Sequence, residues 1–273
     1  MMGDPLFTVV IPTYNRAKYI RKAIRSVLKQ TYKGWKLLIM DDASTDNTKK
    51  KVEPYLSHPD IQYYRMEENS GISKVMNTAL TLVDTPYMVQ VDSDDWLPKR
   101  ALSTLANRIQ KARRNYALYY GNVNLWRVNN RLKYRKAFLI KHREFKRKYD
   151  FLKYTSWMVA PRCYRVSALQ KVGGWDTSDR YGGRIMEDRR IILRLIDRYP
   201  VKWINRVLYN RTKHRNQLTD ANSKRKRNLL RRRTFNYYLR RWGNKYRAVY
   251  GYRNGYLIIK KLKRVRNRSK KRA

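Results

Sequence analysis

The sequence predicts an α/β protein whose central sheet is mostly parallel and covered by helices on both faces. Over the first hundred residues, short apolar runs typical of buried strands alternate with segments in which apolar residues recur at helical spacing. Repeated β-α units of this kind assemble parallel sheets. An acidic cluster at 92–95 follows the fourth apolar run, and the carboxyl ends of strands are where such sheets bind ligands.

The elements are predicted in order along the chain. Strands are expected at 7–11, 35–40, 61–64 and 87–91, and helices at 17–30, from 44 or 46, at 72–83 and from Pro98. Beyond residue 118 the pattern is looser and indicates strands at 119–128, 132–139 and 201–208, with helices at 165–171 and 187–198. The last segment is predicted to be helical at 229–250 and 256–265, and disordered from 266 to 273.

Composition limits the class of protein. The chain has 273 residues, of which 42% are hydrophobic, and this is enough for a large core. Its single cysteine, Cys163, excludes internal disulfides and fits a reducing cytosol. Residues 1–5 show no basic region followed by an apolar stretch, and no run of about 18 apolar residues occurs. We therefore predict no signal peptide and no transmembrane helix, and expect a cytoplasmic protein.

The basic residues are concentrated at the C-terminal end. The formal net charge is +45, and from Val201 to Ala273 we count 26 Lys or Arg against one acid, Asp220. Self-repulsion at this density favours a polyanionic partner over a merely solvated surface. Nucleic acid, anionic lipid headgroups and anionic glycans all qualify.

The acidic cluster Asp92-Ser93-Asp94-Asp95 indicates a metal site. The chain has only 20 acidic residues against 65 basic ones, so three acids at the end of one strand are unlikely to be incidental. Adjacent carboxylates repel each other unless a cation lies between them, and oxygen ligands suit Mg²⁺ or Mn²⁺. The first hypothesis is therefore a metal-bound substrate that carries phosphate.

Four motifs along the chain resemble those of one family. They are 10–16 (VIPTYNR), 39–46 (IMDDASTD), 69–73 (NSGIS) with Asn77, and 92–95 (DSDD). In order and spacing they resemble the family-two glycosyltransferases of the GT-A fold, inverting enzymes that use nucleotide-diphospho-sugars. The resemblance implies a glycosyltransferase domain over 1–216, with a nucleotide-binding half of about 1–115 and an acceptor half of about 116–216. A basic helical extension would follow over 217–273.

The resemblance also implies donor-binding residues. The loop after the first strand would hold the nucleoside through Pro12, Thr13, Tyr14 and Arg16. Asp41 would accept hydrogen bonds from the base, and a carboxylate suits the imide N–H of uracil or the donor edge of guanine, so a UDP-sugar is the first candidate. From the residues alone, Tyr14 is equally a packing aromatic, and Asp42 and Asp46 are ordinary helix caps. We favour binding for Asp41 and capping for Asp46, while Lys74 either reaches the phosphates or lies on a solvated helix face.

Within the acidic cluster the resemblance distinguishes the members. Asp92 would lie near the ribose, with Ser93 in the same binding loop, and Asp94 would ligate the metal that bridges the two phosphates. Asp95 would support the site without binding the donor. His214 falls where many relatives have a histidine that approaches the diphosphate or the metal, although a histidine in a basic loop is often only solvated. The implied cofactor is a divalent cation, Mg²⁺ or Mn²⁺.

Inversion requires a carboxylate opposite the leaving group, to deprotonate the attacking hydroxyl. The resemblance assigns this role to Asp188, with Glu187 beside it on the acceptor side, at the start of an amphipathic helix. Acids at a helix start are also common because they favour the helix dipole. Trp157 and Trp175 are expected either to stack on the acceptor or to pack in the core.

Two kinds of function compete. The leading hypothesis is metal-dependent, inverting sugar transfer in cell-surface or lipid-linked glycan synthesis at the cytoplasmic membrane face. A modified nucleic acid is the alternative acceptor, and a basic nucleic-acid-binding protein with a vestigial site is the alternative class. A nucleotidyltransferase is disfavoured because no Gly-rich phosphate loop follows the first strand. The mixed aromatic and basic tail predicts attachment to an anionic membrane, with nucleic acid as the other polyanion.

Overall fold

A computed structural model describes residues 4–154, 158–214 and 224–265. The chain divides into two compact units. The first comprises residues 1–145 and 158–215, and the second comprises 146–157 and 216–273. The C-terminal division lies beside the boundary expected near residue 216, but residues 146–157, expected in the acceptor half, belong to the second unit.

The first unit is built on one eight-stranded sheet. Its strands are β1 (Phe7–Thr13), β2 (Trp35–Asp41), β3 (Ile61–Arg65), β4 (Tyr87–Gln90), β5 (Leu118–Val128), β6 (Tyr134–Ile140), β7 (Ala160–Arg165) and β8 (Val201–Lys213). Its helices are α1 (Ile20–Leu28), α2 (Thr48–Val52), α3 (Ile72–Leu82), α4 (Ala101–Gln110), α6 (Val166–Lys171) and α7 (Glu187–Arg198), with a 3₁₀ turn at Glu53–Tyr55. The helix α5 (Lys148–Lys153) belongs to the second unit.

The sheet is mostly parallel, as predicted. The strand order is β3-β2-β1-β4-β7-β5-β6, and β5 also pairs with β8. Strands β1 to β4 run parallel to one another, β7 is antiparallel to both β4 and β5, and β5 is parallel to β8. The carboxyl ends of β1, β2, β4 and β8 therefore lie at one edge of the sheet, together with the beginning of β7.

The apolar pattern of the sequence explains the N-terminal half. Strand β1 is buried along its whole length, as expected for a strand covered on both faces. Helix α1 buries Ile20, Ala23, Ile24 and Val27, whose spacing of three and four residues places them on one face. These side chains join one core cluster with Leu37, Ile39 and Val89 of the neighbouring strands.

Three elements of the first unit differ from the prediction. Strand β7 was not predicted, because Pro161 and Arg162 interrupt its apolar pattern. Helix α4 begins at Ala101 rather than at Pro98, and β8 continues to Lys213, five residues beyond the predicted end at 208. The extra length of β8 matters, since it carries the chain to the acidic loop.

The second unit combines α5 with α8 (Lys224–Arg241), β9 (Tyr246–Arg253) and β10 (Tyr256–Arg264). Strands β9 and β10 form an antiparallel hairpin whose turn residues, Asn254 and Gly255, both have positive φ. The prediction of helix at 242–250 and 256–265 is therefore wrong, and the Asn-Gly pair is the turn signal that it overlooked. The disorder predicted for 266–273 concerns residues outside the described ranges.

Helix α8 packs on this hairpin. The side chain of Asn228 accepts the Leu257 N–H at 2.8 Å and donates to the Gly255 carbonyl, also at 2.8 Å. Phe235, Leu257 and other apolar residues are buried. Among the helices of the described residues, none is both long enough and apolar enough to span a bilayer.

Candidate active site

The acidic loop 92–95 leaves the carboxyl end of β4 and turns back on itself. Its backbone closes because the Asp95 N–H donates to the Asp92 carbonyl at 2.9 Å. The Asp95 carboxylate is buried and accepts the N–H of Thr212 on β8 at 2.6 Å. Burial raises the pKa of Asp95 well above its ordinary value, with further contributions from Asp94 and Asp92. Asp95 thus ties the loop to β8, whereas Asp92 and Asp94 remain partly exposed.

The end of β8 brings His214 to this loop. Backbone hydrogen bonds in both directions between Trp96 and Asn210, at 3.1 and 2.9 Å, join the two segments. The His214 Nε2 then lies 2.9 Å from Asp94 Oδ2. The ring of Tyr19 stacks on the imidazole, with 4.6 Å between centroids. The structure therefore places together two residues that the sequence assigned to the metal.

Asp94 and His214 form a suitable donor pair for a divalent cation. Carboxylate oxygen suits Mg²⁺ or Mn²⁺, and an imidazole nitrogen adds a ligand that favours Mn²⁺. Among the described residues no partner hydrogen-bonds to the buried Nδ1 of His214, and the imidazole contacts the Tyr19 ring and Asp94. Across residues 4–154, 158–214 and 224–265 no group of three or more His, Cys, Asp or Glu gathers around one point. A cation here would complete its shell with phosphate oxygens and water, as is common for Mg²⁺ in nucleotide sites.

A buried arginine that the sequence analysis did not select connects two of the predicted site acids. Arg162 lies opposite Gln90 in the pairing of β7 with β4. Its Nη2 donates to Asp92 Oδ1 at 2.7 Å, and its Nη1 lies 3.9 Å from Asp188 Oδ2. Gln90 also donates to Asp92 Oδ1, at 3.3 Å. The expected donor-side acid and the expected base therefore face the same guanidinium.

Helix α7 presents the two acids of its first turn to the site. The residue before it, Met186, has φ 60°, which is uncommon for a residue with a side chain and is typical of constrained functional turns. Asp188 Oδ1 accepts the N–H of Arg189 at 2.6 Å, which leaves Oδ2 facing Arg162. Burial raises the pKa of Glu187 to about 8, and Asp188 beside it adds to the rise. At neutral pH Glu187 therefore holds a proton, so Asp188 is the better candidate to accept one.

The loop after β1 is fastened to the loop after β2. Asn15, whose φ is 52°, accepts the N–H of Thr45 at 2.8 Å and of Asp46 at 3.2 Å on its side-chain oxygen. Its own N–H donates to Ser44 Oγ at 2.8 Å. These hydrogen bonds hold the two loops together.

The predicted nucleoside-binding residues of that loop differ in exposure. Pro12 and Thr13 are buried in β1, so their side chains do not face a ligand. Tyr14 and Arg16 are partly exposed and can contact one. The hydroxyl oxygen of Thr13 is buried and has no hydrogen-bond partner. The nucleoside-binding role of Pro12 and Thr13 stays a prediction, and their burial at the end of the first strand favours contact through the backbone.

Asp41 is fully buried at the end of β2. Its Oδ1 accepts the N–H of Ser44 at 2.9 Å, and its Oδ2 accepts the hydroxyl of Tyr63 at 2.5 Å. Arg65 Nη1 lies 3.5 Å from the same Oδ2. The role of Asp41 as an acceptor for the base stays a prediction, and a base that approaches Oδ2 would compete with Tyr63 and Arg65 for it.

Asp42 and Asp46 anchor neighbouring segments. Asp46 accepts the N–H of Thr48, the first residue of α2, at 2.9 Å, in agreement with its predicted capping role. Asp42 instead accepts the N–H groups of Ser70 and Gly71, at 2.6 and 2.9 Å. It therefore holds the start of α3 and does not cap α2.

The motif 69–77 fastens α3 to the segment that precedes α7. The Ser73 hydroxyl donates to the Gly183 carbonyl at 2.6 Å. Asn77 accepts the N–H of Trp175 at 2.8 Å and donates to its carbonyl at 2.9 Å. These contacts connect two segments about 100 positions apart in the chain.

The acceptor-side segment is likewise held by internal contacts. Trp175 is buried and packs edge-on against Tyr164, with 5.6 Å between centroids, which favours the second of its two expected roles, packing in the core. Asp176 and Asp179 both pair with Arg190 of α7. These ion pairs fasten the segment to α7.

Three other predicted residues are placed as follows. Lys74 is exposed on α3, and Ser93 is buried in the acidic loop, so its side chain is not open to a donor. Trp157 lies outside the described residues.

Sequence reasoning missed Arg162, Tyr19 and Tyr209, whose hydroxyl accepts the Asp92 N–H at 3.0 Å. For Arg162 a signal existed. It stands in an apolar run, 160–164, and a guanidinium buried in a sheet requires acidic partners. For the two tyrosines the sequence offers no comparable signal.

The mostly parallel sheet matches the fold of solved GT-A glycosyltransferases. The family model described as Glycosyl transferase family 2 matches residues 8–173, which is more than half of the chain. The protein belongs to this family.

Individual relatives agree with this assignment. The chain is 31% identical over 213 residues to chondroitin synthase of Escherichia coli, covering 77% of this chain and 29% of that protein. Among solved structures, TarS 1–349 of S. aureus in complex with UDP-GlcNAc has a TM-score of 0.61 at 23% identity, covering 77% of this chain and 59% of that one. A mannosyltransferase of Pyrobaculum calidifontis with GDP-Man and Mn²⁺ has a TM-score of 0.58 at 21% identity, covering 87% and 65%. The chain thus spans less than two thirds of the length of each.

Proposed function

We propose that the protein transfers a sugar, with inversion, from a nucleotide-diphospho-sugar to a hydroxyl of a glycan. The observation that carries this proposal is the shared contact of Asp92 and Asp188 with Arg162, at 2.7 and 3.9 Å. It sets a carboxylate of α7 against the donor loop, which is the arrangement that a base opposite a leaving group requires. Family membership supports the transfer reaction.

The proposal includes a divalent cation at Asp94 and His214. Their 2.9 Å separation and their donor atoms fit Mg²⁺ or Mn²⁺. The ion, when bound, supplies Lewis-acid stabilisation of the charge on the departing diphosphate. The Mn²⁺ in the GDP-Man complex of the Pyrobaculum enzyme supports this part of the proposal.

The residues of the chain then act as follows. Asp92 accepts hydrogen bonds from the ribose, and Arg16 and Lys74 stand partly or fully exposed to attract the phosphates. Asp188 takes the proton of the acceptor hydroxyl as the oxygen attacks the anomeric carbon, a contribution of about 10² to 10⁴ in rate. Glu187, protonated at neutral pH, keeps a second negative charge out of this region.

We propose a UDP-sugar as donor and a polysaccharide or lipid-linked glycan as acceptor. The UDP-GlcNAc complex of TarS and the likeness to a chondroitin synthase support these choices. The GDP-Man complex of the Pyrobaculum enzyme makes GDP-mannose the second donor to examine.

We further propose that the second unit binds an anionic membrane surface through charge. Residues 224–265 contain 16 Lys or Arg and no acid. The apolar residues that suggested insertion are mostly used internally, because Leu257 and Ile259 are buried against α8 and β9. Tyr237 and Tyr252 stay exposed, at 50 and 63%, and suit the headgroup region. Binding should therefore be mainly electrostatic and weaken as salt rises.

A hydrolysis panel tests the function. The full chain is incubated with UDP-GlcNAc, UDP-glucose or GDP-mannose, with Mn²⁺, Mg²⁺ or excess chelator, and release of nucleoside diphosphate is measured. We expect cleavage of one donor only with a divalent cation. Full activity in chelator would exclude the metal-dependent mechanism. Stimulation by duplex DNA but not by anionic vesicles or glycan would favour the nucleic-acid acceptor.

A further inference from the structure

Arg162 stands out among the charged residues of the first unit. Its side chain is 7% exposed, and it belongs to a strand whose other residues are mostly apolar. Moving a guanidinium from water into a sheet carries a large desolvation cost, and arginine does not shed its proton to avoid that cost. Its place in the fold therefore depends on carboxylates that face it.

The two carboxylates come from separate elements. Asp92 belongs to the loop after β4, and Asp188 to the first turn of α7, 96 positions later in the chain. Each contacts a different terminal nitrogen of the guanidinium, Nη2 and Nη1 respectively. Because the guanidinium is planar and rigid, contacts at both terminal nitrogens fix the distance between the two carboxylates. A lysine ammonium, a single charge on a flexible chain, fixes that distance less well.

The two contacts differ in strength. The Asp92 contact, at 2.7 Å, is a charge-assisted hydrogen bond, whereas Asp188 at 3.9 Å is only an ion pair. Arg162 therefore faces Asp188 Oδ2 without donating a close hydrogen bond to it. Further titratable groups of the described residues also face this region, namely Tyr164, Tyr209 and protonated Glu187.

We propose that Arg162 is a positioning residue, which fixes Asp188 against the donor loop through its simultaneous contact with Asp92. The inference rests on the proposed function, because it takes Asp188 as the base. Arg162 itself does not contact the reacting atoms in this proposal. Its loss should therefore lower kcat more than it lowers the affinity for the donor. A misplacement of about 1 Å at a base can reduce rate by about 10²-fold.

The test compares Arg162→Met, which removes the charge, with Arg162→Lys, which keeps it without the fork. With the donor selected by the panel and Mn²⁺ present, we expect Arg162→Met to lower kcat by about 10-fold or more. The donor KM, and the Kd of UDP with Mn²⁺ measured by calorimetry, should change by less than about threefold. Arg162→Lys should recover part of kcat.

Arg190→Met is the matched control. Arg190 is also a buried arginine with two carboxylate partners, Asp176 and Asp179, but it does not contact Asp92 or Asp188 in the described structure. The Arg190→Met variant should lower the midpoint of thermal unfolding at least as much as Arg162→Met does. It should not show the selective loss of kcat. An equal kcat loss in both variants would reduce Arg162 to a stabilising residue and overturn the proposal.

A double-mutant cycle separates this inference from the function on which it rests. In the Asp188→Asn background, Arg162→Met should have little further effect on turnover, because both changes act through one base. If Asp188→Asn retains activity, the base assignment fails. If Asp188→Asn is inactive and Arg162→Met retains wild-type kcat, only the Arg162 proposal fails.

A crystal structure of Arg162→Met provides a readout that needs no turnover. We expect the Asp188 carboxylate to move by about 1 Å or more relative to Asp92, the misplacement that matters for a base. Unchanged carboxylate positions would overturn the proposal.

Discussion

Glu187→Gln tests the electrostatics of the site through stability. Burial, and then Asp188, raise the pKa of Glu187 from 4.5 to about 8, while Arg162 opposes the rise and Asp92 adds to it. In the unfolded chain the group ionises near its ordinary value. Between about pH 4.5 and pH 8 the folded state therefore binds the extra proton, and the stability that this proton provides is fully present below pH 4.5 and lost by about pH 8. A glutamine at this position is neutral over the whole pH range, so the variant does not lose this stability as the pH rises.

The magnitude follows from the same values. A pKa difference from 4.5 to about 8 corresponds to at most about 5 kcal/mol, and because Glu187 is partly exposed, screening by water reduces the expected gain to about 1–2 kcal/mol. For a chain of this size that is about 2–6 °C in the midpoint of thermal unfolding. Glu187→Gln should thus be more stable than wild type at pH 8.5, with a much smaller difference at pH 4.5.

Calorimetric or fluorescence-monitored unfolding at the two pH values measures this effect. Glu144→Gln is the control, since Glu144 is 39% exposed and pairs only with Lys202 on the surface. It should change stability by less than about 0.5 kcal/mol at either pH. A Glu187→Gln difference that stays constant from pH 4.5 to 8.5 would refute the argument from burial.

The remaining predictions concern chemistry and the second unit. Asp94→Ala should abolish turnover, and it should abolish the Mn²⁺-dependent binding of UDP that calorimetry with and without chelator measures. Unaltered metal dependence would mean that the cation binds at other residues. Asp188→Asn should leave donor affinity nearly intact and cut turnover by about 10²-fold or more, as loss of a general base does; an active variant would make Glu187 the next candidate. Neutralising three exposed lysines of β10 to glutamine should weaken binding to anionic vesicles at low salt by about tenfold or more; the lysines are Lys260, Lys261 and Lys263. The same change at the exposed Lys49, Lys50 and Lys51 of α2 is the control, and an equal loss there would mean that net charge alone matters.

The sequence predicts the parallel part of the fold because that part is encoded locally. Strand β1 and the strands beside it are continuous apolar runs, and α7 begins and ends where its apolar spacing begins and ends. The acidic loop was recognisable for the same reason, since three acids stand together at the end of a strand. Its partner His214 depended on family resemblance, because the contact with Asp94 spans 120 positions in the chain.

The features that were missed depend on pairs distant in sequence. Strand β7 carries a proline and an arginine, and it is stable as a strand because Arg162 meets Asp92, 70 positions earlier. Local propensity cannot show such a pair. The hairpin of the second unit is a different error, because its Asn-Gly turn is a local signal that the abundance of Arg, Lys and Leu concealed.

Asp41 presents a conflict between resemblance and geometry. The resemblance makes it an acceptor for the base, yet it is fully buried and both of its oxygens already accept hydrogen bonds. Burial next to Asp41 raises the pKa of Tyr63, so this hydroxyl stays a donor at any ordinary pH. A base can displace Tyr63 only if its own hydrogen bond with Asp41 offsets the lost contact.

Tyr63→Phe separates the two roles. It removes the competing donor and leaves Oδ2 with Arg65 alone, at 3.5 Å. If Asp41 binds the base, UDP affinity in Mn²⁺ should rise severalfold, since a base N–H would no longer displace a hydroxyl, while affinity for inorganic diphosphate should not change. The variant should also lose about 1–2 kcal/mol of unfolding free energy, because a buried acceptor has lost one partner. If the affinities for UDP and for diphosphate change equally, or not at all, Asp41 is a structural acid that holds Ser44 and Tyr63 in place. The partly exposed Tyr14 and Arg16 would then be the residues that contact the base.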